Sequence, residues 1–186
     1  MAAPSHITLQ SLSGTYKLNK RLSDDFAQVL ALQGVSALVR TAASAASIHL
    51  SITQPDQQHI RMAQSVTAGH IPGTTEEYVL DWNWREGQDG FFGRVEGRSR
   101  WIGVGEVGGT GVLAGGEGLK EGPWLRGDSE GRVIQAEGRK EGEWEARHLW
   151  GFEEVGGERR HTRRVYVRNA QGEEWRGVMV YDWVGE

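Results

Sequence analysis

Apolar positions along the chain change period once, near residue 47. From Phe26 to Ala46 they recur at helical spacing: Phe26, Val29 and Leu30, then, beyond Gly34, Val35, Leu38, Val39, Ala42 and Ala46. This predicts two short helices, with Ser23 as an N-cap and Asp24 and Asp25 at the positive end of the helix dipole. From Ser47 the pattern alternates. Ile48, Leu50 and Ile52 are separated by polar residues, as a half-buried strand requires.

The remainder reads as strand punctuated by turns. Pro55-Asp56 precedes a strand from His59 to Thr67, Gly69 to Gly73 precedes Tyr78 to Trp84, and Gly87 to Gly90 precedes Phe91 to Ile102. Gly138 to Gly142 introduces Trp144 to Val155. Gly156-Gly157 predicts a tight hairpin into Arg159 to Arg168, and Asn169 to Gly172 leads to a last strand through Val184. A helical lid followed by an antiparallel meander outlines a barrel with a covered mouth, because closing the meander removes its exposed edges.

Alternation sorts each strand into two faces. Trp144, Ala146, His148, Trp150 and Phe152 form the interior candidate of one strand. Upstream, Tyr78, Leu80, Trp82 and Trp84 form one apolar face and Met62, Gln64 and Val66 another, each able to line a pocket or fill a core.

Gly14-Thr15-Tyr16-Lys17-Leu18, Asp24-Asp25-Phe26, Leu32, Gly34-Val35, Arg40 and the Ile48-x-Leu50 strand resemble the opening of intracellular fatty-acid-binding proteins, within the lipocalin-like calycin superfamily. Leu80-Asp81-Trp82-Asn83-Trp84-Arg85-Glu86 and Trp150-Gly151-Phe152-Glu153-Glu154 resemble fungal lipocalin-like proteins of mostly unassigned role. The resemblance implies an all-β, up-and-down antiparallel barrel of about ten strands with a helix-turn-helix lid over residues 23–46. It selects His161 and Arg163 as inward beside His148, and Met179 and Tyr181 as inward on the last strand. Fatty-acid-binding proteins hold a ligand carboxylate with an Arg-x-Tyr pair there. This chain has Met179-Val180-Tyr181 instead, while Arg164-Val165-Tyr166 repeats the spelling on the outer face one strand earlier.

With 186 residues, a single barrel domain over 1–186 is the simplest organisation. No cysteine is present, which excludes disulfides, thiolate metal sites and cysteine nucleophiles. The N-terminal residues lack the basic and apolar regions of a signal peptide, and no apolar run is long enough to span a bilayer, so a cytoplasmic location without integral membrane association is expected. A net charge of -4 gives no broad attraction to nucleic acid. Arg159, Arg160, Arg163, Arg164 and Arg168 are split between faces and accompanied by Glu153, Glu154 and Glu158, so they read as a charged outer wall with one or two inward members.

Residues 103–131 contain eleven glycines and read as a long loop at a barrel end, from which Trp124 can dip into a cavity mouth. Gly103, Gly105 and Gly108 spell a dinucleotide fingerprint, but the glycines from 109 to 118 would destroy the helix that it needs. His148 and His161 are expected to meet across the hairpin. With no inward carboxylate or third histidine assigned beside them, they form a satisfied polar pair rather than a metal site, and no metal or cofactor is expected.

Two function classes follow. The first is an intracellular binding protein for a small hydrophobic ligand, aromatic or acidic in character, lined by Met62, Tyr78, Leu80, Trp82, Trp84, His148, Trp150, His161, Arg163, Met179 and Tyr181. The alternative is an isomerase or cyclase acting on a hydrophobic natural-product intermediate in the same cavity, with His148 as acid/base and Arg163 stabilising charge. A third reading, a barrel filled by its tryptophans and acting through its surface, requires the interior to be closed to ligand.

Overall fold

The computed structural model describes residues 1–67, 73–107, 124–125 and 130–186. Its ten strands are β1 (Gly14–Leu18), β2 (Ile48–Thr53), β3 (His59–Val66), β4 (Thr74–Val79), β5 (Arg85–Asp89), β6 (Gly93–Gly103), β7 (Arg132–Lys140), β8 (Trp144–Val155), β9 (Glu158–Asn169) and β10 (Glu174–Gly185). They form one antiparallel sheet in the order β4-β3-β2-β1-β10-β9-β8-β7-β6-β5. The first and last strands are neighbours, with Tyr16 opposite Trp183 and Leu18 opposite Tyr181. The meander therefore curls into a nearly closed barrel.

The seam lies between β4 and β5. Ser99 Oγ on β6 donates to Val79 O at 3.1 Å, and Trp82 N donates to Ser99 O at 2.8 Å, so the chain leaving β4 is laced directly onto β6. Outside this seam a stack runs Arg139, Trp84, Arg98, Trp82, Arg100, with guanidinium-to-ring distances of 4.1, 4.3, 3.9 and 4.0 Å. Such cation–π contacts are worth about 0.5–2 kcal/mol each.

That stack corrects the expected strand from Tyr78 to Trp84. β4 ends at Val79, Trp82 takes a left-handed φ of 65°, and β5 starts at Arg85. A residue at positive φ breaks the two-residue alternation. Trp82 and Trp84 consequently leave the interior face that Tyr78 occupies.

The lid comprises α1 (Ala27–Leu32) and α2 (Ala37–Ala45), inserted between β1 and β2. Gly34 turns the chain between them at φ 80°. Ser36 caps α2 by accepting from Val39 N. Ser23 is not the cap of α1. Its hydroxyl donates to Asn19 O at 2.7 Å and accepts from Val180 N at 2.9 Å, which ties the lid's entry to β10. Lys20 Nζ reaches the carbonyls of Ala43, Ser44 and Ala46 at the end of α2, where the helix dipole favours a cation. A cleft of about 370 Å³ lies beside this contact, between α2 and β1, lined by Lys17, Asn19, Lys20, Ser44, Ala46 and Asp182.

Gly156 and Gly157, at φ 62° and 75°, join β8 to β9 in the two-residue hairpin that the sequence signals, with Val155 opposite Glu158. Inside the barrel the apolar side chains pack in two zones. Ala3, Ile7, Leu9 and Leu12 from the N-terminal segment pack with Tyr16, Leu50, Ile60 and Trp150, while Val29 of α1 packs with Trp144, Val165 and Val167. Met179 touches both.

A further apolar patch of Ile102, Val104, Val107, Trp124, Val133 and Leu149 covers the outer face of β6–β8. Trp124 lies against Gly151 there and does not enter the barrel mouth. Most of the glycine-rich segment, namely residues 108–123 and 126–129, lies outside the described residues, as do the last glycine of the fingerprint and His70.

Candidate functional site

The ladder fixes which inward side chains meet. Trp150 on β8 is opposite Arg163 on β9, which is opposite Met179 on β10; one pair along, Phe152, His161 and Tyr181 line up in the same way. His148 is opposite Val165, so the two histidines are not ladder partners and the expected contact across the hairpin is not formed.

Arg163 is the centre of this cluster. It is 4% exposed, its guanidinium stacks 4.1 Å from the Trp150 ring and 5.3 Å from that of Tyr181, and Nη2 lies 2.7 Å from Met62 Sδ. Nε donates to His161 Nε2 at 3.4 Å. Among the described residues no carboxylate lies within ion-pair distance of it. A thioether, an imidazole and an aromatic face are weak substitutes for water or an anion, so a buried cation held this way is under-compensated by several kcal/mol.

The surroundings of His148 and His161 favour the neutral form. His161 is fully buried, and because Nε2 accepts from Arg163, Nδ1 carries the hydrogen, which it donates to Gly151 O at 3.1 Å. Burial first, and the Arg163 charge second, push its pKa well below the ordinary value. The same two causes lower His148 to about 4. His148 nevertheless keeps partial solvent accessibility, as do Glu76 and Met179.

Glu76 is the residue that sequence reasoning missed. It lies on β4 opposite Met62, on the same strand face as Tyr78, whose hydroxyl donates to Glu76 Oε2. Burial raises the carboxyl pKa, while the Tyr78 hydrogen bond and the Arg163 charge oppose the shift. The signal was present: once Tyr78 is inward, alternation along Thr74-Thr75-Glu76-Glu77-Tyr78 makes Glu76 inward too.

Of the expected lining residues, the structure gathers Met62, Tyr78, His148, Trp150, His161, Arg163, Met179 and Tyr181 around this interior. The Tyr78 and Trp150 rings meet edge to face at 4.7 Å. Leu80 is buried in the core at the end of β4. Trp82 and Trp84 are excluded, because they stand in the outer stack over Arg98. Trp150 Nε1 and Trp144 Nε1 are buried with no acceptor among the described residues.

No known family profile matches the sequence. Among curated proteins, the chain is similar to the probable pericyclase scpY of Mollisia scopiformis, with 31% identity over 189 residues that cover 99% of this chain and 95% of that protein. It is also similar to the pericyclase pydY of Acremonium sp, at 28% identity over 191 residues, covering 100% and 98%. Among solved structures, the REP1-NXSQ fatty acid transporter superposes with a TM-score of 0.59 at 13% identity, covering 93% of this chain and 96% of that one. Fatty-acid-binding protein 1 of Echinococcus granulosus superposes with a TM-score of 0.56 at 15% identity, covering 93% and 97%. At such identities the structural likeness establishes the fold, the fatty-acid-binding-protein-like barrel expected from the sequence. Sharing 31% of its residues with scpY along nearly the whole of both proteins, the chain belongs to the fungal pericyclase family that includes it.

Proposed function

We propose that the chain catalyses a cofactor-independent pericyclic isomerisation or cyclisation of a small hydrophobic molecule held inside its barrel. The observation that carries this reading is the end-to-end similarity to two pericyclases. The interior supports it. A pericyclic reaction redistributes bonds around a ring of atoms with no net transfer of protons or electrons, so its catalyst needs shape and fixed charge more than an acid and a base.

The aromatic walls formed by Trp150, Tyr78 and Tyr181 favour a folded, compact substrate conformer by excluding water and restricting rotation. Arg163, already desolvated, stabilises negative charge that builds on a carbonyl conjugated with the reacting carbons. A neutral His148 serves as a polar contact in this scheme, and no proton has to move through it.

The test is conversion without a change of mass. Purified protein is incubated with extracts of a fungal strain from which its gene has been deleted. The expected result is depletion of one compound and appearance of an isomer of identical mass and different retention, with Arg163→Met slowing the change. Absence of any isobaric conversion overturns catalysis.

A second reading, a carrier for the same class of molecule, is favoured by the partly accessible interior under a helical lid. Stoichiometric retention of a small molecule, recovered unchanged after denaturation, identifies the carrier. Both readings place a hydrophobic ligand in the barrel.

A further inference from the structure

Glu76 and Arg163 reach the same part of the interior from different walls. The guanidinium extends from β9 to Met62 on β3, and Met62 is the ladder partner of Glu76 on β4. One strand spacing, about 5 Å, therefore separates the strand that the guanidinium touches from the strand that carries the carboxyl. The two groups influence each other electrostatically and form no ion pair. Each also has an uncommitted atom. Among the described residues, Tyr78 engages Glu76 Oε2 and none engages Oε1; Met62 and His161 engage Nη2 and Nε of Arg163 and none engages Nη1.

A donor on one wall and an acceptor on another, each without a hydrogen-bond partner among the described residues, specify what can lie between them. We propose that the space between Arg163 and Glu76 receives a neutral polar group of the substrate that carries an acceptor and a donor side by side, a carbonyl with an adjacent N–H such as an amide. The carbonyl oxygen accepts from Arg163 and the N–H donates to Glu76. A free carboxylate satisfies Arg163 but offers Glu76 no hydrogen and crowds a second negative charge against it. Glu76 is thus a specificity-determining residue that turns a fatty-acid-type barrel away from fatty acids.

This inference rests on the reading that the interior is the ligand chamber, and not on turnover. The test is calorimetric titration of the full chain at pH 8 with oleamide and with oleic acid, which share one apolar tail. The wild-type protein is expected to bind the amide about tenfold or more tightly than the acid. Glu76→Gln, nearly isosteric and able to donate to a carboxylate, is expected to raise affinity for the acid about tenfold and erase the preference. Arg163→Met weakens both.

Preference of the wild-type protein for the acid, failure to bind either probe, or a preference unchanged in Glu76→Gln overturns the proposal. Should Glu76→Gln fail to fold, the wild-type ratio decides alone. Amide preference without isobaric conversion leaves this inference standing and removes the catalytic reading; conversion of a free acid by both the wild type and Glu76→Gln does the reverse.

Discussion

Arg163 is the direct ladder partner of Met179, so its guanidinium enters the barrel beside the place where the Arg-x-Tyr pattern would put an arginine two residues before Tyr181. The cation missing from the last strand is supplied by the neighbouring one. It arrives in the company of Glu76, and that pairing separates this chamber chemically from a carboxylate anchor.

Replacing Arg163 by Met is expected to leave the fold intact and raise its stability by about 1–4 kcal/mol, because an under-compensated buried charge gives way to a well-packed apolar chain. Urea unfolding of wild type and variant reads this. A lower midpoint in Arg163→Met means that the guanidinium is better satisfied by the fold than its contacts indicate.

Stability should fall as pH drops from about 6.5 toward 4. His148 is held near 4 in the folded chain and relaxes to the ordinary histidine value on unfolding, so the unfolded state binds more protons across that window. A shift of this size corresponds to about 3 kcal/mol, and His161 acts in the same direction. Glu76, with its carboxyl pKa raised, opposes them as it takes up a proton at the acid end. The check is the urea midpoint measured across this range, and His148→Gln should flatten its slope.

Trp84→Ala should lower stability by about 1–2 kcal/mol and change ligand affinity less than twofold, since Trp84 stacks between Arg98 and Arg139 on the outer wall. Trp150→Phe, within the chamber, should change affinity several-fold. Calorimetric melting and oleamide titration of the two variants provide the comparison. Equal effects on affinity would return Trp84 to the ligand site.

Lys20→Met removes the cation that holds the end of α2. Faster amide exchange confined to α2, with faster ligand release and a small change in melting temperature, is the expected outcome. Hydrogen-exchange mass spectrometry of apo and ligand-bound protein resolves it.

The lid, the Gly156-Gly157 hairpin and the inward set on β8 were legible because each rests on a local rule: helical spacing, positive φ at two glycines, and alternation between a covered and a charged face. β7 escaped notice for the opposite reason. Val133, Ile134, Gln135 and Ala136 are all buried, since the outer face of that strand is covered as well, and a strand buried on both faces carries no alternation. Trp82 and Trp84 depart from the expected interior face because Trp82 is left-handed and strand alternation does not carry through such a residue. Glu76 shares the inward parity of Tyr78, but a carboxylate on a strand is usually solvated, and its compensation by the Tyr78 hydroxyl and the Arg163 charge shows only in the structure.

The seam between β4 and β5 gives the barrel a mechanical weak side. A fully paired ring of strands has no terminus from which to fray, whereas this ladder has two free ends, joined by a pair of hydrogen bonds and a stack of rings and guanidinia. In the strand order those ends lie farthest from β10, and β10 and β9 carry Tyr181 and Arg163. Strain on the barrel is therefore expected to be taken up at the seam first, with the wall that carries the charge keeping its shape.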